Sequence, residues 1–479
     1  MTMRNSLRWP EAVWPEPAFL DVKGTRRDDR LRGTPGADVF DIRQGGNDTV
    51  TAGAGDDRII VGSALSGRDR IDGGVGTDAL LIDGRYERIV FRPETLRNVE
   101  VVQLGGDRRY ALILSDGNLA AGQTLAVLGG SVRSVSIDGS AEKSGTLLLS
   151  GTDGSDVLIG GGGNDTLFHG GGSDVLKGGG GYDRADFTIA DVADVSIDLR
   201  LAIRQTFGTR QVQLTGVEDL LGGLGDDTLV GDAESNWLSG GGLGDDELYG
   251  MGGDDLLTIG SSIDPQVRYN VNGGSGVDTL DFSDLVYGGI SLDLGTDGEI
   301  DTRFGYLTVA SVERFQGSDG DDYFSLDDGD TVAFGRGGND RILGRGGDDV
   351  LYGDKTIERS AGGASPFVIA EDAVGGRDIL NGGDGDDVLV GGRGADIFTG
   401  EGGRDRFVYE KAADSLTAAP DTIYEYETGD RIDLRALDAN PYKAGNQAFH
   451  VGATKAHIGD VVIAYDAARP HRHAEESHG

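Results

Sequence analysis

Aspartate returns every nine residues in two stretches of this chain, and that spacing limits the fold more than any other feature. Residues 151–186 read GTDGSDVLI, GGGGNDTLF, HGGGSDVLK and GGGGYDRAD, which sets Asp156, Asp165, Asp174 and Asp183 at one step. A second run holds Asp378, Asp387, Asp396 and Asp405 at the same step, in units such as GGDGDDVLV (382–390) and GGRGADIFT (391–399). A fixed period of this kind marks stacked repeats. Within each unit, glycines let the backbone enter tight and left-handed turns that aim carbonyl oxygens at one point, and the aspartate adds a carboxylate there. Three residues follow whose middle member is apolar (Leu158, Leu167, Leu176, Leu389, Phe398), the pattern of a very short strand with one side chain turned inward. Two units make one coil of 18 residues, so stacking pairs Asp156 with Asp174, Asp165 with Asp183, Asp378 with Asp396, and Asp387 with Asp405. Carboxylates at strand spacing repel unless a cation lies between them.

Composition agrees on the cation. The 479 residues include 43 Lys+Arg and 82 Asp+Glu, a formal net charge of −39, which disfavours nucleic acid and anionic membrane surfaces as partners. Glycine reaches 84 residues while aromatics are 7%, too little bulky apolar material for several ordinary cores. With no cysteine, disulfides and thiolate metal sites are out, and oxygen ligands remain. Loops rich in irregular carbonyls and carboxylates favour Ca²⁺, which accepts six to eight oxygens loosely, over Mg²⁺, which demands a strict octahedron. The first 19 residues hold no apolar run of the kind a cleavable export signal needs, and no membrane span is evident.

These units resemble the GGxGxDxUx nonapeptide of RTX (repeat-in-toxin) proteins, secreted bacterial proteins with a parallel β-roll. The resemblance implies several Ca²⁺ ions held between adjacent coils by the sixth-position aspartates and loop carbonyls. It thus implies an all-β fold, a parallel β-roll or β-helix solenoid with several Ca²⁺-binding nonapeptide blocks, that depends on the ions to fold.

Other stretches match less strictly. Asp322, Asp340 and Asp349 lie in residues 317–353, but one unit there is a residue short, so Asp330 stands where phase demands Thr331. Asp322 and Asp340 still make a clean pair. Asp227, Asp246 and Asp255 are spaced by 19 and 9, with Asn236 replacing an aspartate and predicting a weak or absent site. Near the start, Asp29, Asp38, Asp48, Asp57, Asp69 and Asp78 follow the motif with slipped spacing, and Arg27 sits where a glycine belongs; fewer ions are expected there, with Asp38 and Asp57 the chosen ligands. Between repeats, GYDRADFTIADVADVSIDL (181–199) aligns with GVDTLDFSDLVYGGISLDL (276–294) at an offset of 95, which also carries Val217–Glu218 onto Val312–Glu313. LRNVEVVQL (96–104) echoes the same Val-Glu step. Apolar residues alternate in these spacers (Val195, Ile197, Leu199; Ile290, Leu292, Leu294), as strands with one buried face require.

The chain therefore divides into a tail (1–23), a diverged repeat block (24–83), a β-rich spacer (84–150), a repeat block (151–186), a β spacer (187–221), a block (222–281), a second β spacer (282–316), a block (317–354), a loop (355–373) and a last block (374–409). A cap (410–466) and a polar tail (467–479) close it. The simplest architecture is a series of short β-rolls joined by, or continuous with, β-helical coils. Residues 405–442 resemble the domain that follows the repeats in serralysin-type metalloproteases and alginate epimerases, which implies a cap on the last roll and an uncleaved C-terminal signal for type I secretion. The polar, His-rich ending ARPHRHAEESHG departs from the apolar strand that closes that family.

Catalytic signatures are missing. No two of His169, His450, His457, His471, His473 and His478 are four apart, as a zinc-protease helix requires, and no G-x-S-x-G elbow occurs. His169 occupies a loop position where glycine is usual and reads as a tolerated turn substitution; Tyr182, Arg184 and Arg204 lie in a spacer with nothing to lift them above surface residues. The leading expectation is a secreted, non-catalytic, calcium-binding structural or adhesive protein, with a polysaccharide or cell-surface matrix as its conceivable partner. A polysaccharide lyase or epimerase built on the spacers and a calcium-buffering regulator are the competing ones.

Overall fold

The computed structural model describes residues 20–86, 88–188, 194–260, 266–285, 288–295, 300–302, 305–359, 367–371, 375–411, 413–415, 420–436, 450–451 and 460–461. Among them every regular element is a strand, from Leu20–Lys23 to Asp460–Val461. Most are three to six residues long, as expected where glycine turns interrupt the chain every nine residues. The middle residue points inward: Leu158, Leu167, Leu176, Leu389 and Phe398 are all buried, and each such side chain contributes roughly 1.5–3 kcal/mol.

One face of the solenoid is a continuous parallel sheet of 19 strands. It begins with Leu20–Lys23, runs through Thr166–Phe168, Arg184–Asp186 and Asp219–Leu221, and ends with Arg431–Asp433. Register is set by coil stacking: Leu167 lies beside Ala185, and Leu389 beside Phe407. The opposite face is broken into four sheets of four, seven, six and six strands. Two of the breaks fall in the duplicated module. There the seven-stranded sheet ends in an antiparallel turn-back, Gln205–Phe207 against Arg210–Thr215, and the first six-stranded sheet ends the same way, with Ile300–Thr302 against Gly305–Ala310. These positions are 95 apart, so the sequence duplication is a duplicated interruption of one face. A single hydrophobic core runs from Phe40 to Phe407 between the faces. The expected blocks and spacers are thus continuous coils of one solenoid.

The segment expected as a loop (355–373) is instead an antiparallel ribbon, Lys355–Arg359 against Phe367–Glu371. Ile357 packs on Leu256 and Trp237 of the long sheet, and the Thr356 hydroxyl donates to Gln316 Oε1 at 3.0 Å. The coil resumes in register beyond it, with Val350 beside Val388. The expected cap also begins as coil: Thr422–Tyr424 and Arg431–Asp433 extend both faces. The polar tail (467–479), most of the N-terminal tail, and His457, His471, His473 and His478 lie outside the described residues.

Candidate metal sites

In the repeat units most strands follow a glycine loop whose sixth residue is an acid, so stacking lines these acids up along the two edges of the solenoid. On the edge leading into the long sheet, each main-chain N–H donates to the carboxylate one coil later. Asp165 donates to Asp183 Oδ1 at 2.7 Å, Asp349 to Asp387 at 2.8 Å, and Asp387 to Asp405 at 3.1 Å. The slipped region obeys the same rule: Asp38 donates to Asp57 at 2.7 Å and Asp57 to Asp78 at 2.8 Å, although 19 and 21 residues separate them. Asn236 keeps the place between Glu218 and Asp255, donating its main-chain N–H to Asp255 Oδ1 and its amide to the Glu218 carbonyl. Thr331, the in-phase residue, donates to Asp349 at 2.9 Å, while Asp330 is exposed.

The second edge carries four separate runs because the face it serves is broken. Asp29, Asp48 and Asp69 form the first, Asp156 and Asp174 the second, and Asp227 and Asp246 the third. The fourth links Asp322, Asp340, Asp378, Asp396 and Asp421, and it keeps contact between Asp340 and Asp378 although they are 38 positions apart, the N–H···O distance being 2.9 Å. All of the aspartates chosen as ligands from the sequence lie on these two edges. Sequence reasoning placed Asp78 in the motif without choosing it as a ligand, and it missed Asp278, Asp421 and Asp430, and also Glu100, Glu218 and Glu313. These glutamates accept the N–H of Asp78, Asp183 and Asp278 at 2.7–2.8 Å. The signal for them was the recurring Val-Glu step of the spacers.

The fit to a bound cation can be tested on the oxygens themselves. Where Oδ1 takes the neighbouring N–H, Oδ2 of Asp57, Asp78, Asp174, Asp183, Asp255, Asp278, Asp340, Asp349, Asp378, Asp387, Asp396 and Asp405 is buried without any hydrogen-bond partner. An isolated buried charge of that kind is costly unless a cation meets it. At Gly391 and Gly353, the first position of their units, the loop leaves room for nothing bulkier than glycine. A Cβ added to Gly391 would stand 2.2 Å from Asp396 Oδ2, and one added to Gly353 would meet Asp378 Oδ2 at 2.1 Å and the Gly391 carbonyl oxygen at 2.4 Å. Carboxylate and carbonyl oxygens of successive coils therefore converge on one small space, and Gly392 turns the chain there with a φ of +91°.

Electrostatics point the same way. Burial, reinforced by neighbouring carboxylates, pushes Asp183, Asp255, Asp340 and Asp349 up to about 8, and Asp246 and Asp378 up to about 9. Without a counter-charge, these carboxylates hold protons near neutral pH. Among the described residues no three His, Cys, Asp or Glu side chains gather as a metal cluster. A cation in such a space would be met by an acid from a coil and by main-chain oxygens, a donor set that suits a hard, many-coordinate ion.

Comparison with known families bears on these edges directly. The family described as RTX calcium-binding nonapeptide repeat (4 copies) matches residues 22–41, 44–64, 149–185, 215–243, 221–257, 241–264 and 327–355. The family described as Peptidase M10 serralysin C terminal matches residues 361–473. No curated protein matches the chain.

Proposed function

We propose that this chain, whose repeats match the RTX calcium-binding nonapeptide family and whose residues 361–473 match the serralysin C-terminal family, is a secreted, non-catalytic structural or adhesive protein whose solenoid folds around Ca²⁺. The observation that carries the reading is the row of buried Oδ2 atoms without partners. On the edge of the long sheet the ions would be held by Asp57, Asp78, Asp183, Asp255, Asp278, Asp349, Asp387 and Asp405. On the other edge Asp340, Asp378 and Asp396 would hold them. Loop carbonyls supply the remaining ligands, the Gly391 oxygen among them. Bound Ca²⁺ neutralises the stacked carboxylates and cross-links one coil to the next. The chain's own contribution is to hold each Oδ1 on a main-chain N–H, which leaves Oδ2 free to face the ion.

Export by the type I route rests on the serralysin-type match at 361–473, and the non-catalytic reading rests on the absence of zinc-protease, serine or cysteine nucleophile motifs in the sequence. Calorimetric titration of metal-free protein with CaCl₂, followed in parallel by circular dichroism, tests the core of the proposal. Several ions per chain with a coupled gain of β signal is the expected result. A full β spectrum in EDTA, unchanged by calcium, would refute it.

A further inference from the structure

His169 occupies the first position of its nonapeptide, HGGGSDVLK, where most units in register carry glycine. Elsewhere that position lies against Oδ2 of the unit's own aspartate, as Gly391 does against Asp396. Here the imidazole fills the space. Its Nδ1 stands 2.5 Å from Asp174 Oδ2, and neither side chain is exposed. The ring is boxed in by Phe187 and Phe207, each with its centroid 5.4 Å away, and these two phenyl groups pack edge-on to one another. Phe207 comes from the turn-back that ends the seven-stranded sheet.

The place in the fold explains the substitution. Asp174 is the last acid of its run: in the next coil its register partner is Val212, which offers no carboxylate. A cation at this rung would lack the second acid that the long runs supply. In the duplicated module the position 95 residues on from Asp174 is Tyr269, a buried phenol that donates to the Gly260 carbonyl and stands in register after Asp246, so there too no carboxylate occupies this place.

We propose that His169 closes the Asp174 rung in place of a cation, so that this coil is fastened by a side chain while its neighbours await Ca²⁺. The two groups touch directly, closer than two ligands of one ion would stand. Nitrogen and oxygen each about 2 Å from a tetrahedral ion lie roughly 3.3 Å apart, and the contact is shorter. Calcium in addition prefers oxygen to imidazole nitrogen. The phenyl box keeps water from competing for Asp174, which lets the imidazole nitrogen in contact with Oδ2 take the place of an ion with several ligands.

This inference rests on the reading of the acid edges as cation sites, and the test separates the two. Bound calcium per folded full-length chain is counted by atomic emission at fixed free Ca²⁺ for the parent, Asp396→Asn, Asp174→Asn and His169→Gly. Asp396→Asn should lose at least one ion; no loss would overturn the cation reading itself. Asp174→Asn should leave the count unchanged, and a loss matching that of Asp396→Asn would overturn the role given to His169. His169→Gly restores the ordinary loop and should gain one ion, whereas an unchanged count would again refute the inference. Should the glycine variant fail to fold, Asp174→Asn decides alone.

Discussion

Neutralising one aspartate in the long run of the second edge should separate a chelating acid from a surface acid that looks alike in sequence. Asp396 is fully buried; its Oδ1 accepts the Asp378 N–H at 3.0 Å and its Oδ2 has no partner. Burial and the nearby carboxylates of Asp421, Asp354 and Asp414 push it up to about 7. Asparagine keeps the Oδ1 acceptor, so the change removes the charge and the ion rather than the main-chain contact. At free Ca²⁺ ten times a dissociation constant of roughly 10⁻⁴ to 10⁻³ M, one site contributes about 1.4 kcal/mol. Asp396 lies between Asp378 and Asp421, so Asp396→Asn should cost about 1.4 kcal/mol for one lost site and about 2.8 kcal/mol if the carboxylate serves two. Asp330 is exposed, and its Oδ1 accepts only the Asp348 N–H at 2.8 Å, a contact that asparagine retains. Asp330→Asn should therefore cost about 0.5 kcal/mol or less. Urea unfolding at fixed free calcium, read by circular dichroism, gives both values. Equal losses, or a larger one for Asp330→Asn, would show that position on the coil does not decide which acids bind the ion.

Further expectations follow from the same edges. EDTA should leave an expanded chain with little β signal, and Mg²⁺ at the concentration of Ca²⁺ that restores the fold should fail to do so, because the loops offer irregular carbonyl oxygens; circular dichroism with each ion checks both. In the metal-free chain the buried acids, pushed from 3.8 to about 8 at Asp183 and about 9 at Asp378, bind protons more tightly when folded than when unfolded. The stability they permit is thus present below about pH 4 and is lost as pH rises towards 9. EDTA-treated protein should be more compact at pH 4.5 than at pH 8.5 by small-angle scattering, and the calcium midpoint should fall as pH rises. Met251, in the strand Asp246–Gly252, holds a φ of +76° at the second position of its unit, where several other units use glycine, so Met251→Gly should stabilise the calcium-bound form by up to about 1 kcal/mol in the same urea assay.

How far the sequence could be read depended on whether a feature is local or arises from stacking. The inward Leu158, Leu167 and Leu176 and the pairs Asp156–Asp174 and Asp387–Asp405 were legible because an uninterrupted period of nine maps directly onto coils of 18. The pairs Asp340–Asp378 and Asp349–Asp387 were not, because the ribbon of 355–371 intervenes. That ribbon leaves the coil after Asp354 and returns before Asp378, so it adds residues without rotating the stack. Glu218 and Glu313 were hidden for a related reason. The segments before them carry a turn-back strand on the broken face, which consumes 35 residues for one step along the edge. A longer side chain then reaches the place that aspartate fills elsewhere. Slipped spacing is therefore a poor guide to lost chelation: Asp38, Asp57 and Asp78, at 19 and 21 residues, share the contact of the strict repeats. What does end a run is the register partner in the next coil, as Val212 ends the run at Asp174. The capacity of such a chain to bind calcium is set by which residue the next coil brings alongside, and strict motif copies are only the subset in which that residue can be found by counting.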